Sequence, residues 1–494
     1  LRGFVAQPVV SGYKKSMVRF WALAVTVLTT LGVGAQLTAQ QAPEAKAAEP
    51  ADELSGEPTE LARVHHVDEY TRAAVLRYPG LKAAKADIDA AEARLDEARL
   101  SPFFQFEGQA RFFVAPGARG TPTFSPDPQI PWSNRWGPGG ELSVSGGIPI
   151  YTFGKYRSGK KAASAGISAA EHQKDITLAR VVFDVRKAYF GVQLSLDLQA
   201  MISEGKDKLR SAVDKLGARL EADDPEVKQQ DYFRLVAALS EIESRESEAL
   251  RLEATARRAL EILTEIQPAI VPECPLEIVQ SEVIELGDHV DRALANRPEV
   301  FQLEAAQQAR DANLVVNRAG YLPDIILALS ATFARTPGIT DIQNPYVIDR
   351  GNFAGAFFGL VARWKLDFAG TNARVKTAKA EIESLRGKTA EAKQGIAIEV
   401  NAIYEQLQDA KRRVNSWTRA EKESRKWFVS AGQGYEVGTQ DSRDFVDAIS
   451  AYFGARSNRL MATAEYNLAI AALERATNMP MVSEKGWRPA DCEE

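Results

Sequence analysis

The sequence predicts a mixed α and β fold in which long helical hairpins carry pairs of β-strands. Some helical runs are far longer than those of most globular proteins, and in two strand pairs apolar and polar residues alternate. A third observation is an internal two-fold repeat, because the order helix, strand pair and helical hairpin occurs twice along the chain.

The longest helical run extends from Thr371 to Ser430 and would be ~90 Å long at the rise of an α-helix. Apolar or small residues recur along it at steps of three and four, which predicts coiled-coil packing. Among them are Val375, Ala378, Ile382, Ile396, Val400, Leu407, Ala410 and Val414. A returning helix follows through Phe445, Ile449 and Tyr452. The same pattern predicts an earlier hairpin of this kind, from Lys155 to about Leu220 and from Glu226 to Leu263. It also predicts a single amphipathic helix from Val67 to Leu100.

The strand pairs are predicted from a change of period. Phe104, Phe106, Ala110 and Phe112 alternate with Gln105, Glu107, Gln109 and Arg111, and the pattern resumes at 141–150 and 358–366. Each strand therefore has one apolar and one polar face. Alternation alone fits either the wall of a transmembrane β-barrel or a half-buried sheet in a soluble domain.

The repeat sets the predicted domain boundaries. A first repeat covers 67–266, with a β-hairpin at about 103–152, and a second covers 291–478, with a β-hairpin at about 325–368. Residues 267–290 join the repeats and 479–494 form a C-terminal tail. Residues 1–39 follow the plan of a signal peptide, with basic residues before an apolar run, and 40–66 form a flexible leader. Neither candidate cleavage site exposes a cysteine, so no lipid anchor is expected.

Composition and single residues narrow the function classes. The 61 basic and 66 acidic side chains give a net charge of -5, which argues against nucleic-acid binding. The two cysteines, Cys274 and Cys492, either pair or remain as two thiols. The four histidines, including His289, lack metal-ligand spacing and are interpreted as solvent-facing or incidental. Gly154 to Lys161 nearly matches a phosphate-binding loop, but Lys161 replaces the required Ser or Thr.

Four strands per chain cannot close a barrel. In hydrocarbon, unpaired strand edges would leave backbone groups without hydrogen bonds, at several kcal/mol each. If the strands form a barrel, other copies must complete it. Two, three or four copies all give an even number of strands.

The turn between the last two helices carries a specific resemblance. The resemblance rests on Gly434-Tyr435-Glu436-Val437-Gly438-Thr439, on the following Asp444 and Asp447, and on Ala464-Glu465-Tyr466-Asn467-Leu468. The chain resembles the TolC family of outer-membrane efflux proteins over roughly 67–478. The resemblance implies a homotrimer with one twelve-stranded β-barrel in the outer membrane. A long α-helical coiled-coil tunnel would continue it through the periplasm of a Gram-negative type envelope. It also implies a passive exit duct without enzymatic activity or cofactor, coupled to a periplasmic adaptor and an inner-membrane pump or secretion ATPase.

The resemblance also assigns roles to residues near the turn. Asp444 and Asp447 match the aspartates of an acidic gate ring, and their spacing places both on one helix face. Tyr435 matches a tyrosine that links the helical tips in the family. The adaptor-docking positions of the family match Val437, Gly438 and Thr439. Gln440 stands where a basic partner is expected, so that closing contact is neutral here or taken over by Arg443.

The first repeat departs from the family at its turn. Glu221-Ala222-Asp223-Asp224-Pro225 replaces the expected Val-Gly pair, so adaptor docking need not hold there. Two alternatives remain from other classes. One is a periplasmic coiled-coil structural or adaptor protein without a barrel, and the other is an ATPase acting through the near phosphate-binding loop.

Overall fold

Eight helices and four strands make up the part of the chain that the computed structural model describes. These residues are 65–103, 105–118, 136–225, 227–281, 283–342, 346–347, 349, 351–437, 439–482 and 487. All of them belong to one unit, 62–494. The predicted signal peptide, nearly all of the leader and Cys492 lie outside the described residues.

The elements follow one order twice. The first set is α1 (Val67–Arg77), α2 (Pro79–Leu100), β1 (Gln105–Pro116), β2 (Trp136–Tyr151), α3 (Lys155–Glu221) and α4 (Gln229–Thr264). The second is α5 (Leu286–Asn296), α6 (Pro298–Ala319), β3 (Asp324–Arg335), β4 (Phe353–Arg363), α7 (Phe368–Glu436) and α8 (Ser442–Thr477). Corresponding helices have similar lengths, 67 residues in α3 and 69 in α7, and 36 in both α4 and α8.

The helix expected from Val67 to Leu100 is interrupted, which corrects that expectation. α1 ends at Arg77, and Pro79 begins α2 at its first helical position. Pro298 begins α6 in the same way. Proline lacks a backbone N–H and is tolerated where that group has no intrahelical acceptor, so each proline ends one helix and starts the next.

The four strands form one antiparallel sheet in the order β1-β2-β3-β4. The helix-rich fold with a four-stranded antiparallel sheet is thus confirmed. β1 and β4 are its edges. Both faces carry exposed side chains: Phe112 is 89% and Phe358 71% exposed, while Arg111 forms an ion pair of 3.6 Å with Glu141 across β1 and β2. At the base of the sheet, Lys155 of α3 contacts Asp324 of β3 at 2.8 Å.

No helix among the described residues is long and apolar enough to cross a membrane.

The largest core lies where both repeats meet, around the connector at 265–285 between α4 and α5. The described residues of the connector form no helix or strand, so its backbone groups need other partners. Asn467 of α8, fully buried, supplies two: its Oδ1 accepts from the Val279 N–H at 2.9 Å, and its Nδ2 donates to the Glu277 carbonyl at 2.8 Å. Asp197 of α3 accepts from the Leu276 N–H at 2.7 Å.

Further contacts fasten the same core to the end of the chain. Glu474 of α8 accepts hydrogen bonds from the N–H groups of Met481 at 2.6 Å and Val482 at 3.0 Å, and it pairs with Arg186 of α3. The Arg186 guanidinium lies 4.0 Å from the ring centroid of Trp487. Cys274 of the connector is disulfide-bonded. Helix α3, the connector and the segment after α8 are therefore held together.

His289 corrects the interpretation of the histidines as solvent-facing. It is 0% exposed on α5, and its ring centroid lies 5.9 Å from that of Tyr404 on α7. Burial lowers the pKa of His289, because the protonated ring would lose its hydration. Burial therefore favours the neutral form of the ring.

We expect Asn467→Ala to lower the free energy of unfolding by about 1–3 kcal/mol, because it leaves the buried Val279 N–H and Glu277 carbonyl without partners. The midpoint of thermal unfolding, followed by circular dichroism, measures the loss. Asn401→Ala is the matched control, since Asn401 is exposed on α7. Equal midpoints for the two variants would show that the amide does not hold the connector.

Candidate functional site: the turn between α7 and α8

The turn at 437–441 closes through hydrogen bonds to the last residues of α7. The Gly434 carbonyl accepts from the Thr439 N–H at 2.8 Å and from the Gln440 N–H at 3.1 Å, and the Val437 N–H donates to the Gln433 carbonyl at 3.2 Å. These bonds satisfy carbonyls that a helix C-terminus leaves free. The chain can then reverse within a few residues.

The Gln440 side chain packs directly on Gly434. A Cβ atom at Gly434 would lie 2.8 Å from both Cγ and Cδ of Gln440, so the glutamine side chain covers the position that a larger residue would fill. Gln440, for which a neutral closing contact was predicted, thus packs on its own chain in the described structure.

An aromatic cluster fixes α7 against α8 beside the turn. The Tyr435 and Phe445 rings stack with centroids 5.0 Å apart and planes at 2°, and Phe428 stacks on Tyr452 at 5.4 Å. Phe453 meets the edge of Phe428 at 6.0 Å. Such pairs contribute about 0.5–1.5 kcal/mol each beyond the burial of their area. The cluster therefore sets the spacing of the two helices where the chain turns.

Tyr435 belongs to this cluster and also lies near charged groups of both hairpins. Burial raises the pKa of Tyr435, Arg219 of α3 opposes that effect, and Asp231 of α4 and Asp441 strengthen it. Tyr435, which the sequence predicted as a tip-linking residue, is thus placed next to the first hairpin of the same chain.

Asp444 and Asp447 are exposed on the first two turns of α8. Acidic residues stabilise this end of a helix, since its free N–H groups carry partial positive charge. The Arg443 Nε lies 3.8 Å from an Asp447 carboxylate oxygen, with both side chains mostly exposed. With Asp441 one chain therefore presents three exposed carboxylates and the Arg443 guanidinium at the turn, and a ring of such groups requires further copies.

The structure describes two of the three predicted adaptor-docking positions. Val437 is 74% exposed and Thr439 is exposed. Gly438 lies outside the described residues. The exposed Val437 side chain therefore offers an apolar contact surface that the described residues leave mostly uncovered.

Sequence reasoning missed the contacts that join the two turns. The Arg234 guanidinium of α4 donates to the Ser442 Oγ at 3.4 Å and pairs with Asp231 at 3.2 Å. In the first turn Asp223 adopts φ 52°, and Asp224 accepts from Arg219 at 2.8 Å. No sequence motif marks Arg234, because its partner is 208 residues away.

Among the described residues, no group of three or more His, Cys, Asp or Glu is arranged to hold a metal ion. The described residues of the turns instead expose an apolar side chain, Val437, and charged side chains such as Asp441 and Arg443.

Fold and turn together define a class of protein in which two long helical hairpins continue from a small antiparallel sheet. Solved structures of this class are similar to the chain. CusC has a TM-score of 0.71 at 15% identity, covering 84% of this chain and 93% of that one. OprN has a TM-score of 0.69 at 18% identity, covering 86% of this chain and 91% of that one. CmeC of Campylobacter jejuni has a TM-score of 0.70 at 16% identity, covering 83% of this chain and 85% of that one. No curated protein sequence matches the chain.

A separate comparison concerns the second part of the chain. Residues 289–479, which include the turn, match the family model described as outer membrane efflux protein. The family resemblance drawn from the sequence is thus confirmed for this segment.

The raised pKa of Tyr435 predicts a pH dependence. A tyrosine whose folded-state pKa lies above the ordinary value of about 10 contributes stability below that pH and loses it as the pH rises through the folded-state pKa. We expect the midpoint of thermal unfolding to fall above about pH 10, and to fall less in Tyr435→Phe. The pKa of Tyr70, raised to about 12 by burial, is common to both proteins. Identical pH profiles would contradict the assignment.

Proposed function

We propose that the protein is the outer-membrane exit duct of a tripartite efflux or type I secretion system. The single observation that carries the proposal is the outer membrane efflux protein domain at 289–479, in a chain whose fold matches solved channels over more than four fifths of its length. OprN and CmeC are outer-membrane channels, and CusC changes conformation on folding and transmembrane channel formation.

The sheet supports a barrel shared between copies. Its apolar side chains are exposed on strands at both edges, including Phe112 of β1 and Phe358 and Leu360 of β4. β1 and β4 each have one edge without a partner strand in the described chain. Three copies would join these edges into twelve strands, with the apolar side chains toward lipid and Arg111 and Glu141 toward the lumen. The matching order and lengths of elements in the two halves support the predicted internal repeat.

The helical hairpins would continue the barrel as a periplasmic tunnel. α7 alone is ~100 Å long at the rise of an α-helix, and α3 is nearly equal. Their turns would form the tunnel's end. There the exposed Val437 and Thr439, with Gly438, would dock the periplasmic adaptor that couples the duct to an inner-membrane pump or secretion ATPase.

Asp444 and Asp447 would form the gate. In a narrow neck built from three copies, exposed carboxylates favour cations over anions. Arg443 opposes this preference, because it lies next to Asp447. The duct itself carries out no reaction: β2, the strand before the near phosphate-binding loop, lies in an antiparallel sheet, whereas phosphate-binding loops follow strands of buried parallel sheets.

Extraction separates a duct from a periplasmic structural protein. We expect the mature chain to stay with the membrane fraction after carbonate and high-salt washes and to need detergent, because the exposed apolar side chains of β1 and β4 would contact lipid. Release by the washes alone would favour the periplasmic alternative.

Single-channel recording in a planar bilayer tests the gate. We expect a small conductance that prefers K⁺ over Cl⁻, and a lower preference in the double variant Asp444→Asn with Asp447→Asn. Arg443→Gln should act in the opposite direction and increase the preference, because it removes the guanidinium beside Asp447.

The matched control is Asp409→Asn, which removes an exposed carboxylate of α7 that pairs with Arg413, about 40 Å along the helix from the turn. We expect no change in its selectivity. Equal selectivity in the gate variants and the control would contradict the acidic ring.

A further inference from the structure

Four helices lie side by side near the turns, in an order that leaves two of them at the ends. α3 packs on α4 and on α8, α8 packs on α7, and α4 makes a smaller contact with α8 through Arg234 and Ser442. Helices α4 and α7 therefore each have a side turned away from their main partner. The charges on these two sides follow a definite order with distance from the turns.

Observed contacts establish one common level across the four helices. Glu246 of α4 pairs with Lys206 of α3 at 2.6 Å. The neighbouring Gly205 lies against Phe453 of α8, since a Cβ there would be 3.3 Å from the Phe453 ring. Phe453 contacts Phe428 of α7, with ring centroids 6.0 Å apart. Glu246 and Phe428 thus lie at the same level along the hairpins, and each faces its main partner helix.

Two residues farther from the turns, the exposed charges are complementary. Glu248 follows Glu246 on α4, and Lys426 precedes Phe428 on α7. A shift of two residues moves each side chain by ~3 Å along its helix and about 200° around it, to the side turned away from the partner. Glu248 is 58% and Lys426 64% exposed.

Three residues farther again, the signs are reversed on both helices. Arg251 lies one turn beyond Glu248 on α4, and Glu423 one turn beyond Lys426 on α7, and both are exposed. Residues three apart share a helix face. Moving away from the turns, α4 therefore presents acid then base, and α7 presents base then acid at the same levels.

We propose that these two faces meet between neighbouring copies of the chain, with Glu248 against Lys426 and Arg251 against Glu423. The inference rests on the proposed function, because it assumes a ring of copies about an axis parallel to the hairpins. Rotation about such an axis does not change the height of a residue along the hairpins. Residues of α4 in one copy therefore meet residues of α7 in the next copy that lie at the same height. A slip by one turn would place Glu248 against Glu423, so the charge order also specifies the register.

Three of the four charged groups already have a partner within their own helix. Lys426 contacts Glu423 at 2.8 Å, and Glu248 contacts Arg245 at 3.2 Å. Contact between copies adds a second opposite charge to each of these pairs. Because exposed ion pairs are individually weak, the test exchanges whole pairs rather than single charges.

The first experiment is cross-linking of the full mature chain in detergent. E248C with K426C should give covalent dimers and trimers on a non-reducing gel after mild oxidation. E248C with K393C is the matched control, because the exposed Lys393 lies about 50 Å farther along α7 than Lys426. It should give no such ladder, and neither should E248C alone.

The second experiment is a charge-exchange cycle in which every variant keeps the net charge of the chain. E248K with R251E, or K426E with E423K, places like charges together and should lower the temperature at which the trimer dissociates. All four substitutions together should recover most of that loss, which isolates the interaction between the two faces from effects within each helix. The loss should shrink at high salt.

The outcomes separate the interface from the function. A trimer that forms but shows neither cross-links nor recovery overturns the paired faces and leaves the duct intact, and the α7 face would then be free for an adaptor. A wild-type chain that native mass spectrometry shows only as a monomer in detergent overturns the trimeric duct and the interface together.

Discussion

The fold depends on the hydrogen bonds that α8 and α3 give to the connector between the repeats. A segment without helix or strand hydrogen bonds carries a row of backbone donors and acceptors, and burying them without partners costs more than the net gain of making each bond. Asn467 acts as a short piece of backbone, because its amide offers one acceptor and one donor to Val279 and Glu277. Asp197 completes the set from the other repeat. The two halves are thereby joined through side chains of the helices that also reach the turns.

This arrangement separates rigid from adjustable parts of the hairpins. Near the connector, α3 and α8 are held by buried hydrogen bonds and by the Arg186–Glu474 pair, all of which have specific directions. Near the turns α8 meets α7 through stacked rings and meets α3 through apolar side chains, among them Leu209 of α3 and Ile449 of α8. Aromatic faces slide at lower cost than hydrogen bonds bend, so a partner acting at the turns would move the hairpin ends before it disturbed the middle.

Much of the fold was predictable because its periods are long and regular. The seam positions Val375, Val400, Leu407 and Val414 are buried, as the coiled-coil spacing predicts. The sheet was equally readable, since alternation survives in strands exposed on both faces. The burial of His289 and the break before Pro79 were not predicted from these patterns. His289 is buried by a helix distant in sequence, and the break arises because Pro79 lacks a backbone N–H. The aspartates at the turn could be found by resemblance, whereas Arg234 and Ser442 meet only after two hairpins have packed.

The charges at the turn are arranged differently from those along the helices. Along α4 and α7 opposite signs alternate, so a face attracts a partner whose pattern is complementary and rejects one displaced by a turn. At the start of α8 two carboxylates accompany one guanidinium, and no group of the described chain neutralises the remainder. Symmetric copies would bring this excess of one sign together, where repulsion opposes closure. The aromatic cluster and the bonds to Gly434 hold each turn together within its own chain, and repulsion between the carboxylates would lower the free energy needed to separate the copies. If copies of the chain close in this way, the closed end would be metastable, which would suit a duct opened by a partner rather than by its own chemistry.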